Sequence, residues 1–263
     1  MGRVGLAVGG AVLVLLGGVA LTWGPLATAE ERTTALDGID RVELVDGSGD
    51  VQVRYVPGAR GQVVQRVHRW GAAFWGGGDA VEHRVEDGAL VLDADCGWNC
   101  SVDYEVTLPV PVPVTGDLGA GSLHVVGMRE VRAEVGSGEI EVAQVDGPVD
   151  VRTGSGSIIL DRLTGEVDAT TGSGDIEGRG LSAADLVLDT DAGSIDLRMT
   201  TAPTSAELTT GSGDIELTVP AESYRVDSDS GAGDVNVDVA EDPQSPRHLK
   251  LSTGSGDIRV RGV

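Results

Sequence analysis

Thr171-Gly172-Ser173-Gly174-Asp175-Ile176 is the stretch on which the fold turns, because the chain repeats it. Copies of Gly-Ser-Gly-Asp, exact or near, begin at Gly47, Gly119, Gly136, Gly154, Gly172, Gly211, Gly231 and Gly254, and Asp191-Ala192-Gly193-Ser194 is a degenerate ninth. From Gly119 the steps are 17, 18, 18, 19, 20, 20 and 23 residues, whereas 72 residues separate Gly47 from Gly119. A fixed period of about this length marks a stacked repeat in which no single unit can bury its own apolar face.

The flanks are as regular as the glycines. With the first Gly counted as zero, positions −5 and −3 are apolar in most copies (Val149 and Val151, Leu186 and Leu188, Leu249 and Leu251). Position −1 is a hydroxyl in Thr153, Thr171, Thr190, Thr210, Ser230 and Thr253. Beyond the corner, Ile140, Ile158, Ile176, Ile195, Ile215, Val235 and Ile258 share position +4, and most copies place a second aliphatic residue at +6. Polar residues fill the gaps. This period-two alternation is that of a strand with one buried face, and Gly-x-Gly supplies a corner that a Cβ would obstruct. The expected fold is all-β: a single-chain parallel β-solenoid of about 18–20-residue coils, with the shared +4 residues stacked in one buried column.

The long gap is expected to hold an inserted antiparallel strand region: Gln62 to Trp70, Val81 to Glu86, Ala89 to Asp93 and Val102 to Leu108. Six of the eight aromatics fall in or beside it. Two roles compete for these residues. They cap one end of the solenoid, as an open sheet edge requires, or Trp70, Phe74 and Trp75, on a loop with Gly71, Gly76, Gly77 and Gly78, form an exposed binding patch. The C-terminal coil is expected to be its own cap, with Arg247, Lys250, Arg259 and Arg261 blunting the open edge.

Ahead of the repeats, Val4 to Leu21 carries no charge and follows Arg3. About 20 apolar residues cross a bilayer as a helix, and the basic flank places the N-terminus inside. Retention as a single-pass membrane anchor competes with signal cleavage at Ala27-Thr28-Ala29, which would secrete the chain from residue 30. Either outcome exports the rest. The expected divisions are an anchor or signal peptide over 1–29, a linker over 30–36, the first coil with inserted strands and disulfide turn over 37–115, and solenoid repeats over 116–263. Outside the cytoplasm, the isolated pair Cys96 and Cys100 is expected to form a disulfide. A metal site joining them to His68 and His83 is disfavoured, because neither His has a second ligand at zinc spacing.

These features together resemble an adhesin-like family of bacterial cell-surface proteins, a domain of unknown function related to the GIN-type adhesin heads. The residues that carry the resemblance are the recurrent Thr-Gly-Ser-Gly-Asp-Ile and the strand Tyr104-Glu105-Val106-Thr107-Leu108-Pro109, over roughly Asp37 to Val263. The resemblance implies a β-helical ectodomain on the cell envelope and brings no catalytic residues with it.

Composition bounds the function. Acids outnumber Lys and Arg by 42 to 19, a net charge of −23, which disfavours nucleic acid as a partner. No Gly-x-Ser-x-Gly elbow and no phosphate-binding Gly-Lys-Ser/Thr loop is present. A polysaccharide-cleaving β-helix is weakened by the shortage of basic residues, and no catalytic residue or cofactor is expected. Calcium is weighed at the corners, whose acids offer hard oxygen ligands. Position +3 reads Ser122, Glu139, Ser157, Asp175, Ser194, Asp214, Asp234 and Asp257. Alternation of acid and Ser keeps carboxylates apart in the early coils, so Asp214, Asp234 and Asp257 are the one candidate cation site. The function expected is a non-catalytic binding, adhesion or scaffolding role, with the membrane and an envelope protein or glycan as partners. An envelope-stress sensor touching a membrane partner and a calcium-dependent adhesion module are the alternatives.

Overall fold

The computed structural model describes residues 28–69, 83–97 and 99–263. Among them every regular element is a strand. Alternating side chains sort the strands into two facing twelve-stranded sheets, and most neighbours pair in parallel. Each repeat supplies one strand to each sheet, joined by the Gly-x-Gly corner. Glu130–Ser137 and Ile140–Ala143 make one coil, and Val149–Ser155 and Ile158–Asp161 make the next. Equivalent positions pair in one column: Leu123 with Ile140, Ile140 with Ile158, Ile158 with Ile176, and on through Ile195, Ile215, Ile258 and Val235, with a register shift only beyond the column, between Arg179 and Leu181.

The column expected at position +4 is therefore real. All its isoleucines are buried, and only Val235, at one edge, is open, with 44% of its surface exposed. Val149, Val167, Leu186 and Leu249 are buried in the other sheet, and Leu163 and Leu181 are buried toward the return side of their coils. The core is thin and aliphatic, which explains why aromatics are scarce along the array. Gly178 departs from the apolar rule at +6 for a visible reason. A Cβ there would lie 2.4 Å from Leu197 Cδ2 and 2.8 Å from Leu181 Cδ1, so the two leucines already occupy that space.

Two features of chain order differ from the sequence reading. Val235–Asp238 forms one edge of its sheet, and Ile258–Gly262 lies between it and Ile215–Val219. Thus the last coil in sequence is the penultimate coil in space and does not cap itself. The other end mirrors this arrangement. Ala89–Asp93 and Cys100–Leu108 pair in parallel with Arg41–Val45 and Val51–Tyr55, so half of the supposed insertion is a coil lying outside the first one. The other half is the expected antiparallel cover: Gln62–Arg69 lies on Cys100–Leu108, and Arg84–Glu86 on Ala89–Asp93. Thr28–Ala35, across most of the segment expected to be a linker, is a strand antiparallel to Gln62–Arg69. Among the described residues, ten coils at ~4.8 Å spacing make a rod of roughly 50 Å. The apolar run Val4 to Leu21 lies outside the described residues, as do Trp70, Phe74 and Trp75.

Candidate functional site

The corners are where repeated polar chemistry meets solvent. Each residue of the motif there bonds or packs against a neighbouring coil. The hydroxyl at −1 is buried and donates to the carbonyl of the second corner glycine one coil away. Thr153 reaches Gly138 O at 3.0 Å, Thr171 reaches Gly156 O at 2.9 Å, Thr190 reaches Gly174 O at 3.0 Å, and Thr253 reaches Gly213 O at 2.9 Å. That second glycine adopts a φ near +145°, as at Gly174 (φ +143°), where a Cβ would lie 2.3 Å from Gly156 O. Backbone strain and close approach both select glycine.

The acid at +3 completes the corner. At most of these positions its carboxylate accepts a backbone N–H from the next coil. Asp50 donates to Asp103 at 3.0 Å, Ser122 to Asp50 at 2.9 Å, and Ser194 to Asp175 at 2.7 Å. Where the corner residue is Ser194, its hydroxyl oxygen accepts the Asp214 N–H at 3.2 Å. Ser194 thus takes the place of an Asp as a short side-chain acceptor.

The structure brings the three candidate calcium ligands together, in the spatial order Asp214, Asp257, Asp234. Two of them already have work. Asp214 Oδ1 accepts from Asp257 N–H at 2.8 Å, and Asp257 Oδ1 accepts from Asp234 N–H at 2.9 Å. Arg259 holds the other Asp257 oxygen at 2.6 Å. The Asp234 N–H, and after it Arg259, hold the Asp257 carboxyl below its ordinary range. Like charges of this kind repel, but amide donors between successive acids offset that repulsion.

The basic residues near the C-terminus, expected to guard an open edge, lie inside the array. Lys250 reaches Glu207 at 2.6 Å, Arg261 pairs with Glu216, and Arg247 lies 3.8 Å from Glu222. The edge beyond carries Asp227, Asp229, Asp234 and Asp238 and is acidic.

At the opposite end the terminal coil replaces Gly-Ser-Gly with the Cys96–Cys100 disulfide, Cα atoms 5.7 Å apart. Neither cysteine is available as a thiolate ligand, so the arrangement with His68 and His83 has no sulfur donors. His68 instead contacts Asp103 at 3.0 Å. Buried Tyr104 donates to Asp93 O at 2.6 Å, and burial pushes its phenol upward in pKa. An open hollow of about 670 Å³ beside this end is lined by Asp37, Asp40, Arg60 and apolar residues, with no nucleophile–base pair in its wall.

A cluster the sequence reading passed over lies on the outer face. His124, Glu139 and Glu141 place one ligand atom each within 4.8 Å of the others. The signal was available: His124 and Glu141 hold the same repeat position in successive coils, and such positions stack.

Solved structures similar to the chain include the following two. One is a putative cell adhesion protein from Clostridium sporogenes, with 12% identity over 90% of this chain and 100% of that one, at a TM-score of 0.30. The other is a putative adhesin from Bacteroides fragilis, with 13% identity over 90% of this chain and 98% of that one, at a TM-score of 0.47. No curated protein matches. The profile of the Toastrack DUF4097 family matches residues 37–262, from the turn before the first coil to the last strand, and the chain belongs to that family.

Proposed function

We propose that this chain is an exported, membrane-anchored cell-surface solenoid with a non-catalytic binding and scaffolding role. The observation that carries the reading is the use of the corner motif. Thr hydroxyls, glycines and most corner carboxylates are taken up by contacts between coils. What remains for a partner is a stiff rod with two charged faces. The disulfide suits an oxidising compartment, and the apolar run Val4 to Leu21 supplies a route out of the cytoplasm. Kinship with GIN-type adhesin heads is part of the same proposal.

Protease treatment of intact cells and the mass of the exported product test it together. The expected result is digestion of the solenoid in intact cells and a product that retains residues 1–29. A product beginning at residue 30 means secretion without an anchor. A solenoid protected in intact cells, with Cys96 and Cys100 open to thiol reagents, overturns the proposal.

One observation favours a sensor that touches a membrane partner as a second reading. The strand Thr28–Ala35 follows the apolar run after six residues, so a retained anchor would hold the near end of the rod close to the bilayer. Photo-crosslinkers at Arg32 and at Asp238 distinguish the two: a membrane protein captured from Arg32 alone supports the sensor.

A further inference from the structure

On the outer face of the first sheet, the position after each residue of the +4 column forms a second stacked column. It reads Glu105, Gln52, His124, Glu141, Ile159, Glu177, Asp196, Glu216, Arg259 and Asn236. Its acids are matched to arginine with one exception. Glu105 pairs with Arg54, Glu177 with Arg179 at 2.6 Å, Asp196 with Arg198 at 3.4 Å, and Glu216 with Arg261. Glu141 instead meets His124 Nδ1 at 2.7 Å. Glu139, two residues earlier, has no cationic partner among the described residues. It also stands in the corner series of Asp and Ser, but with a longer side chain, and it receives no N–H from Ser157.

We propose that His124, Glu139 and Glu141 form a binding site for a divalent transition metal, with zinc the best fit. Three donor atoms already lie within 4.8 Å of one another. Ligands of one zinc ion sit about 2.0–2.2 Å from it, and rotation about the flexible Glu torsions closes the remaining distance. His124 and Glu141 are about two-thirds buried and fixed in register by paired parallel strands, so the site is largely formed in advance. Two carboxylates neutralise a 2+ charge. The imidazole selects a borderline metal over calcium or magnesium, which favour all-oxygen shells. Gln52 flanks His124 on one side and Ile159 flanks Glu141 on the other, so no further fixed charge crowds the ion within the column. Three protein donors leave a fourth position for water or a donor from a partner.

Titration calorimetry of the metal-free full-length chain with Zn²⁺ tests the site. The expected result is one zinc per chain, undisturbed by excess Ca²⁺. His124→Ala and Glu141→Gln should each weaken binding about 10-fold or more, whereas His68→Ala and Asp214→Asn should leave it unchanged. Glu139→Gln, at a side chain without an ion pair among the described residues, should weaken binding without altering the melting temperature of the metal-free chain. No zinc uptake by a chain with a normal β circular dichroism spectrum overturns the proposal. So does uptake undiminished in both His124→Ala and Glu141→Gln, or displacement of the zinc by calcium.

Discussion

Asp257 donates its backbone N–H to the carboxylate of Asp214, 43 residues earlier, at 2.8 Å, while Asp234 lies one coil farther out. That contact fixes the order of the last three coils. Glu207 and Lys250 are register partners in the same interleaved arrangement. A Glu207→Cys/Lys250→Cys variant should therefore crosslink on mild oxidation, since neighbouring strands sit within disulfide reach. Glu207→Cys/Asp227→Cys, adjacent only if coils followed sequence order, should not. A gel-shift assay of the two variants reads the result, and crosslinking of the second pair alone would invert the order.

Thr171 and Thr190 are nearly fully buried, and each donates its hydroxyl to a glycine carbonyl one coil away. Replacement by Val keeps the shape and removes the donor. Each change should cost about 1–2 kcal/mol, measured as a lower urea midpoint at an unchanged slope. An unchanged midpoint would mean that water or another donor satisfies the carbonyl.

Gly174 and Gly58 both have positive φ, but only Gly174 faces backbone at 2.3 Å; nothing lies within 4 Å of a Cβ at Gly58. Gly58→Ala should cost about 1–2 kcal/mol from the left-handed conformation alone. Gly174→Ala must also push two coils apart and should cost clearly more, read as the larger loss of melting temperature. Equal losses would locate the penalty in φ rather than in coil spacing.

Acid should loosen the far end before the middle. The Asp257 carboxyl is held below its ordinary value of 3.8 by the Asp234 N–H and Arg259. A depressed folded pKa contributes stability above the unfolded value, and that contribution fades as pH falls through the folded one. Hydrogen exchange over 223–241 should therefore quicken below about pH 4, and Asp257→Asn should blunt that dependence.

Asp189 has the opposite sign. Burial first, then Asp191 and Glu207, raise its carboxyl pKa. Its ionised form therefore opposes folding at neutral pH and ceases to do so as pH falls. Asp189→Asn should raise the melting temperature at pH 7 and lose that advantage in acid. A lower melting temperature at pH 7 would show that the carboxylate makes a stabilising contact.

The repeated coil was legible because each corner states its own geometry. Thr171-Gly172-Ser173-Gly174-Asp175-Ile176 carries the buried donor, both close-approach glycines, the acceptor and the core residue. Neighbour relations at the ends were not legible. Val235 and Ile258 satisfy the same pattern, and either coil could follow Ile215; what distinguishes them is the pairing of Lys250 and Arg261 with Glu207 and Glu216. Ala89–Asp93 and Cys100–Leu108 lack the glycine corner, so their place in the stack was hidden although their strands were visible. The candidate metal cluster required reading one position down successive coils rather than along the chain.

At each end of the stack the outermost coil is flanked by one that lies beyond it in sequence order among the described coils, and this constrains how the rod can be assembled. A solenoid laid down in sequence order could grow one coil at a time from any nucleus. Here 223–238 cannot take its final place until 248–262 has entered against 205–219. The 248–262 coil acts as a keystone: a chain emerging from synthesis holds the lateral bonds of 205–219 and 223–238 open until that segment arrives. A shortened chain lacking 248–262 would offer 223–238 the vacant place beside 205–219, giving a rod one coil shorter with a different edge.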